Sequence, residues 1–218
     1  MNIRGPIKIF LLTLIAVMLF PAFVIAEYSD KPDAGTFFKL GLNLAEKMQY
    51  SEAIDNFQQA AKLKPEYAEA YFHMGNAYYK IHRYTDAMDA YKMAVKISPN
   101  YEEAYISLGV VSSMLRKYDQ AIDALKKAVK VNSQSSAAYY NLGNIYMDID
   151  ETSKAVEAYK EAVRINPDFA SARYNLGVAY LELKQDSLNP AIEQYKALLN
   201  LDKKLAKDLD ELINKAKE

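Results

Sequence analysis

The chain has 218 residues, with 27 lysines and arginines against 28 aspartates and glutamates, and no cysteine. Near-neutral charge leaves no basic field that would draw nucleic-acid phosphates, and the missing cysteine excludes disulfides, thiolate metal sites, a cysteine nucleophile and a lipidated cysteine. The two histidines, His73 and His82, have no second ligand or catalytic partner at recognisable spacing, nothing in the sequence predicts that carboxylates such as Glu102 with Glu103 or Asp148 with Asp150 and Glu151 converge, and no glycine-rich phosphate loop occurs, so the reading is a non-enzyme without catalytic residues, metal or cofactor.

In chain order, a leader comes first. Arg4 and Lys8 precede an uncharged, mostly apolar run from Ile9 to Ala26, which contains Pro21 and gives way to Glu27, Tyr28, Ser29 and Asp30. That order predicts a signal peptide over residues 1–26, cleaved after Ala26. An uncleaved anchor over residues 9–26 is the alternative, because a helix of that length reaches about 27 Å against a bilayer core of about 30 Å. Either way, with Arg4 and Lys8 held in the cytoplasm, the remainder is carried across, so the expected location is extracytoplasmic: periplasmic or secreted, with membrane contact only through that segment. Residues 27–33 read as a linker.

From Ala34 the chain repeats itself. Gly41, Gly75, Gly109, Gly143 and Gly177 recur every 34 residues, a period that belongs to two-helix units. Ala53, Ala87, Ala121 and Ala155, then Ala60, Ala94, Ala128 and Ala162, keep the same register and mark places where helices approach closely. Phe37, Tyr71, Tyr105 and Tyr139 lie one helical turn before the first four glycines, and Pro65, Pro99 and Pro167 close three of the units. The units are 34–67, 68–101, 102–135, 136–169 and 170–201.

Two units depart from the pattern. The third has Ser133 in place of the closing proline and Ser112 where Tyr78 and Tyr146 stand, which predicts looser packing. The fifth has Arg173 for the aromatic and Ala191 two residues late, which predicts a lengthened turn over Gln185 to Asn189, with Asn189 capping a helix that begins at Pro190. Residues 202–218 carry Leu205, Leu209, Leu212 and Ile213 on one stripe, the pattern of a terminal capping helix.

Stretches such as Ala70-Tyr71-Phe72-His73-Met74-Gly75-Asn76-Ala77-Tyr78 and Ala138-Tyr139-Tyr140-Asn141-Leu142-Gly143-Asn144-Ile145-Tyr146 resemble the tetratricopeptide repeat family. The resemblance covers roughly Ala34 to Leu201 and implies an all-α, right-handed superhelical solenoid of five helix-turn-helix repeats, whose first helices line a concave groove. The residues then expected in the groove are Phe38, Phe72, Ile106, Tyr140 and Tyr174 after the anchors, Asn76, Val110, Asn144 and Val178 after the glycines, and His73, Tyr79, Asn141 and Asn175 beside them. Asn141 and Asn175, 34 residues apart, are expected to form a ladder. Asn144 and Asn175 match the asparagine pair of the family's carboxylate clamp, but Tyr140 stands where one of its lysines would be, so that activity is not carried over.

The expected function is a protein-protein interaction scaffold or adaptor that holds an apolar or aromatic-bearing polypeptide segment in this groove. The alternatives are a self-assembling structural protein, hence a homo-oligomer, and a non-catalytic subunit or chaperone of a cell-surface enzyme. A nucleic-acid partner is not expected.

Overall fold

The computed structural model describes residues 32–183 and 188–217. The predicted leader, most of the linker and part of the fifth turn lie outside the described residues. Among the described residues there are eleven α-helices and no strands. They pair as α1 (Ala34–Glu46) with α2 (Tyr50–Leu63), α3 (Ala68–Lys80) with α4 (Tyr84–Ile97), α5 (Glu102–Met114) with α6 (Tyr118–Val131), α7 (Ser136–Asp148) with α8 (Thr152–Ile165), and α9 (Ala170–Leu183) with α10 (Leu188–Leu201), before α11 (Lys203–Lys215). Each helix packs chiefly on its neighbours in the chain, so the core is a series of linked clusters.

The glycines set how closely each pair packs. A Cβ at Gly41, Gly75, Gly109 or Gly143 would lie 2.4 to 2.6 Å from Phe57, Tyr91, Leu125 or Tyr159 respectively, the large side chain sixteen residues on. Each of those side chains is almost fully buried against the bare glycine backbone. Only a residue without a Cβ permits that approach.

The turns repeat as faithfully. The first four first-helices end through a left-handed residue, Met48, His82, Arg116 or Asp150, with φ between 56° and 61°. The next amide donates back to the carbonyl five residues earlier, as in Gln49 N to Leu44 O at 2.9 Å and Lys117 N to Ser112 O at 2.8 Å. This is a Schellman closure, made here without glycine. Between repeats the third turn lacks proline, and Asn132 supplies the order instead. Its Oδ1 accepts from Gln134 N at 3.0 Å and its Nδ2 donates to Glu102 Oε2 at 2.7 Å, while Ser135 Oγ caps α7 by accepting from Ala138 N at 3.3 Å.

The fifth repeat differs from the expectation at its turn. Helix α10 begins at Leu188, so Asn189 and Pro190 fall inside its first turn and Asn189 is not the cap. Proline is tolerated there because first-turn amides have no intrahelical acceptor. The residue sixteen after Gly177 is Glu193, unsuited to the buried slot, and Leu209 of α11 fills it, 2.6 Å from where a Cβ would stand. Asp202 starts α11 by accepting at Oδ1 from Lys204 N and Leu205 N, both at 3.0 Å. The cap is therefore inserted into the core of the last repeat, with Ala206, Leu209 and Ile213 buried. No helix among the described residues is long and apolar enough to cross a membrane.

Candidate functional site

The first helices place the expected residues on one face, in two chemically different halves. In the first two repeats the face is aromatic. Phe38 packs on Tyr67 with ring centroids 4.9 Å apart, and Phe72 packs on Tyr101 at the same distance and the same 42° tilt. Tyr140 repeats this with Phe169 at 4.8 Å and 42°. Each groove ring is thus held by the ring that ends the linker before the next repeat. Tyr67, Tyr101 and Phe169 are part of the face and were not among the residues expected from the sequence, although they share the 34-residue register. Ser135 interrupts their series.

His73 lies within the aromatic half, with its ring 5.5 Å from Phe38, 5.9 Å from Phe57 and 5.3 Å from Phe72. Burial lowers its pKa below the ordinary histidine value, against an opposing pull from Glu69. Burial likewise raises the Tyr101 phenol to about 12, aided by Glu69 and Glu103. The ring edges here present an uncharged surface at neutral pH. Tyr79 sits at the far end of α3, with its ring 5.7 Å from Tyr84.

In the fourth and fifth repeats the face is built of amides and phenols. Asn144 Oδ1 accepts from Tyr159 Oη at 2.8 Å and from Asn175 Nδ2 at 2.9 Å, and Asn175 Nδ2 also lies 3.4 Å from Tyr140 Oη. Asn76 Oδ1 accepts from Tyr91 Oη at 2.7 Å in the same way. Burial pushes the Tyr91 and Tyr159 phenols well above their usual range, so both stay protonated donors. Where the glycine is followed by an aliphatic residue, as at Leu42 and Val110, the facing side chain is Phe57 or Leu125, without a hydroxyl.

A cavity of about 260 Å³ opens at the amide pair, lined by Asn144, Met147, Asp148, Tyr159, Asn175 and Val178. It contains carboxamides and a carboxylate but no basic residue. A peptide backbone or a cation suits it better than a terminal carboxylate.

Not every expected residue joins this surface. The Asn141–Asn175 ladder does not form: Asn141 Nδ2 donates to Ala137 O of its own helix at 2.8 Å, and Asn175 turns to Asn144. Tyr174 and Val178 pack against the cluster made by α10 and α11, so the cap takes part of their surface. Ile106 packs against the cluster around Leu125 and Leu142 and, with half-buried Val110, makes a plain aliphatic middle. No group of three or more metal-ligating side chains occurs among the described residues.

Repeated pairs of helices with a glycine at each close crossing define an all-α repeat solenoid. The family model for TPR repeats matches residues 33–81, 116–150 and 143–184, and that for the tetratricopeptide repeat matches residues 68–101. The chain belongs to the tetratricopeptide repeat family. A crystal structure of MamA resembles it with a TM-score of 0.70 at 32% identity, over 77% of this chain and 96% of that one. A second MamA structure gives 0.67 at 28% identity, over 84% and 94%. The crystal structure of YrrB, described as a TPR protein with an unusual peptide-binding site, shares the fold with a TM-score of 0.69 at 23% identity, over 87% and 98%. No curated protein sequence matches the chain. The fold is that of a protein-protein interaction scaffold, and none of these matches is to a catalytic family.

Proposed function

We propose that this protein is an extracytoplasmic adaptor whose first-helix face holds an apolar or aromatic-bearing polypeptide segment. The observation that carries the reading is the joined surface of Phe38, Phe72 and His73 with Tyr67 and Tyr101, continued along the same face by the amide cavity at Asn144 and Asn175. Rings that are already packed lose little freedom on binding, which favours them as contact area. The amides and phenols of the second half offer hydrogen bonds to any backbone, whatever its side chains. The leader over residues 1–26 supports the compartment, through a charged start, an apolar run and a small residue at the cut.

The test is crosslinked capture from intact cell envelopes. The full chain is compared with a Phe38→Ala, Phe72→Ala, Asn144→Ala, Asn175→Ala variant whose helicity and thermal midpoint show that it is folded. A specific protein that is captured by the native chain and lost with the variant supports the adaptor; unchanged partners refute it. Fractionation and N-terminal sequencing of the mature chain test the compartment and cleavage after Ala26.

A second reading, self-assembly, is favoured by the large apolar side chains exposed near both ends of the described array. Leu40 is 48% and Met48 75% exposed in the first repeat, and Leu199 43% and Leu201 38% exposed in the last. Sedimentation at rising protein concentration separates the two: an adaptor keeps its mass until a ligand is added, and a self-assembler does not.

A further inference from the structure

The two halves of the first-helix face differ in charge as well as in polarity. In register, the first helices end on Glu46, Lys80, Met114, Asp148 and Glu182. Only the fourth and fifth repeats place carboxylates there in succession, and these are the repeats that carry Asn144 and Asn175. A carboxylate in the last turn meets the negative end of the helix dipole, so both positions are locally unfavourable. Neither Asp148 nor Glu182 makes an ion pair among the described residues. Lys154, Arg164 and Arg173, bases of the same two repeats, are engaged elsewhere. Lys154 pairs with Glu151 and Arg164 with Glu161, while Arg173 donates to Pro167 O at 2.6 Å and to Gln194 Oε1 at 3.2 Å.

Both carboxylates act on the cavity at the amide pair. Asp148 lines it, and Asp148 and Glu182 add to the upward shift that burial gives the Tyr159 phenol. The rest of the lining suits a long side chain with a charged end. Met147 and Val178 are apolar walls. Asn175 donates through Nδ2 to Asn144 Oδ1 at 2.9 Å, which leaves Asn175 Oδ1 as an acceptor with no partner among the described residues. The cavity therefore combines apolar contact with two kinds of acceptor, a carboxylate and an amide oxygen, and no base lines it.

We propose that this cavity takes a lysine or arginine side chain of the bound segment. The inference rests on the adaptor reading and gives that segment a basic residue beyond its apolar or aromatic part. The alkyl stem lies against Met147 and Val178, and the cationic head meets Asp148 and Asn175 Oδ1, with Glu182 adding to the field. The cation also compensates the C-terminal ends of α7 and α9. A carboxylate in the same place would meet like charge. Two repeats earlier the position of Asp148 is held by Lys80, so the face accepts a basic residue beside the amides and opposes one at the end of α3.

The test uses the full chain and fluorescein-capped, amidated peptides that carry two phenylalanines and, beyond a glycine-serine spacer, one lysine, in both chain orders, read by anisotropy. Spacers of about four to eight residues are used, because two helix spacings of about 10 Å each separate α3 from α7 and an extended chain advances about 3.3 Å per residue. Capping leaves lysine as the only ammonium. The lysine peptide should bind about fivefold more tightly than its norleucine counterpart and lose that advantage as salt is raised. Asp148→Asn, Glu182→Gln should remove the advantage without weakening the norleucine peptide or lowering the thermal midpoint, since both side chains are exposed. Asp148→Lys, Glu182→Lys should prefer a glutamate peptide to the lysine one. If lysine and norleucine peptides bind equally and Phe38→Ala, Phe72→Ala abolishes both, the basic-residue site is overturned and the adaptor reading stands. A lysine advantage that persists in the folded Asp148→Asn, Glu182→Gln variant overturns the site as well. If no peptide binds, the adaptor reading falls and the site with it.

Discussion

Gly143→Ala tests whether glycine is needed by packing or merely tolerated. Alanine in a helix interior gains about 1 kcal/mol over glycine through propensity alone. Against that, the new Cβ would stand 2.4, 2.5 and 2.8 Å from Cε1, Cδ1 and Cζ of Tyr159. Carbon contacts settle at about 3.5 Å or more, so the ring must retreat by roughly 1 Å. It cannot do so freely, because Tyr159 is 1% exposed and its hydroxyl is tied to Asn144 Oδ1 at 2.8 Å. Overpacking costs about 1–3 kcal/mol and a lost hydrogen bond about 0.5–1.5 kcal/mol, which against the propensity gain leaves a net destabilisation of about 0.5–3.5 kcal/mol. Gly35→Ala is the control: its nearest neighbour would be an Asp33 carboxylate oxygen at 3.6 Å, an ordinary contact, so the substitution should be neutral or stabilising. Urea midpoints followed by far-UV circular dichroism compare the two. Hydrogen exchange over α7 and α8 shows whether the loss is centred on the fourth repeat. A Gly143→Ala protein as stable as the native chain would refute the assignment of the glycine to helix packing.

Further outcomes follow from other contacts. Met48→Gly should raise the urea midpoint by the equivalent of about 1 kcal/mol, because its φ of 61° strains a side chain that is largely exposed. Leu209→Ala should destabilise the C-terminal repeat by about 2–5 kcal/mol by opening a void against Gly177, seen as early exchange in α9 and α11. Tyr91→Phe should cost about 1 kcal/mol by leaving Asn76 Oδ1 without its donor, and adding Asn76→Leu should recover much of it, since Leu42 and Phe57 already form that pairing in the first repeat. His73 resists protonation when folded, so stability should be complete above its ordinary pKa of 6.5, fall as pH drops through that value and level off below the folded pKa; His73→Phe should remove that slope from a urea titration.

The helix pairs were legible in the sequence because a steric requirement leaves a visible mark: where a ring lies on the backbone, only glycine is admitted, and the period follows. The first-helix columns were legible for a related reason, since one turn of helix fixes which neighbours of the glycine share its face. Contacts that depend on a second, variable partner were not. Whether Asn76 or Asn144 is exposed to a ligand or engaged internally depends on whether the residue fifteen positions on carries a hydroxyl. Asn141 was placed in a ladder because its spacing allowed one, but a carbonyl of its own helix was nearer. The turn residues Met48, His82, Arg116 and Asp150 share a left-handed backbone and nothing in their side chains, so no residue type announces it. The two-residue slip in α10 hid the role of Leu209, which becomes visible only when Glu193 is seen to stand where a buried side chain is required.

The third repeat is the exception on both sides of the molecule. It has Ile106 where its neighbours have Phe72 and Tyr140, Ser135 where Tyr67, Tyr101 and Phe169 recur, and Ser112 where Tyr78 and Tyr146 stand. It keeps its place through Leu125 against Gly109 and through the bonds of Asn132, so its backbone geometry is preserved while its rings are removed. On the first-helix face this separates an aromatic half from an amide half by an aliphatic spacer, so a ligand that spans the face must match two chemistries in a fixed order along its chain. On the other face Ser112 replaces a ring and is itself fully buried, so the neighbouring side chains close over the smaller residue. Substitution of a few side chains in one repeat, without change to the scaffold, is how a periodic fold acquires direction: the repeats alone would present one surface five times over, and the third makes the two ends distinguishable to a partner.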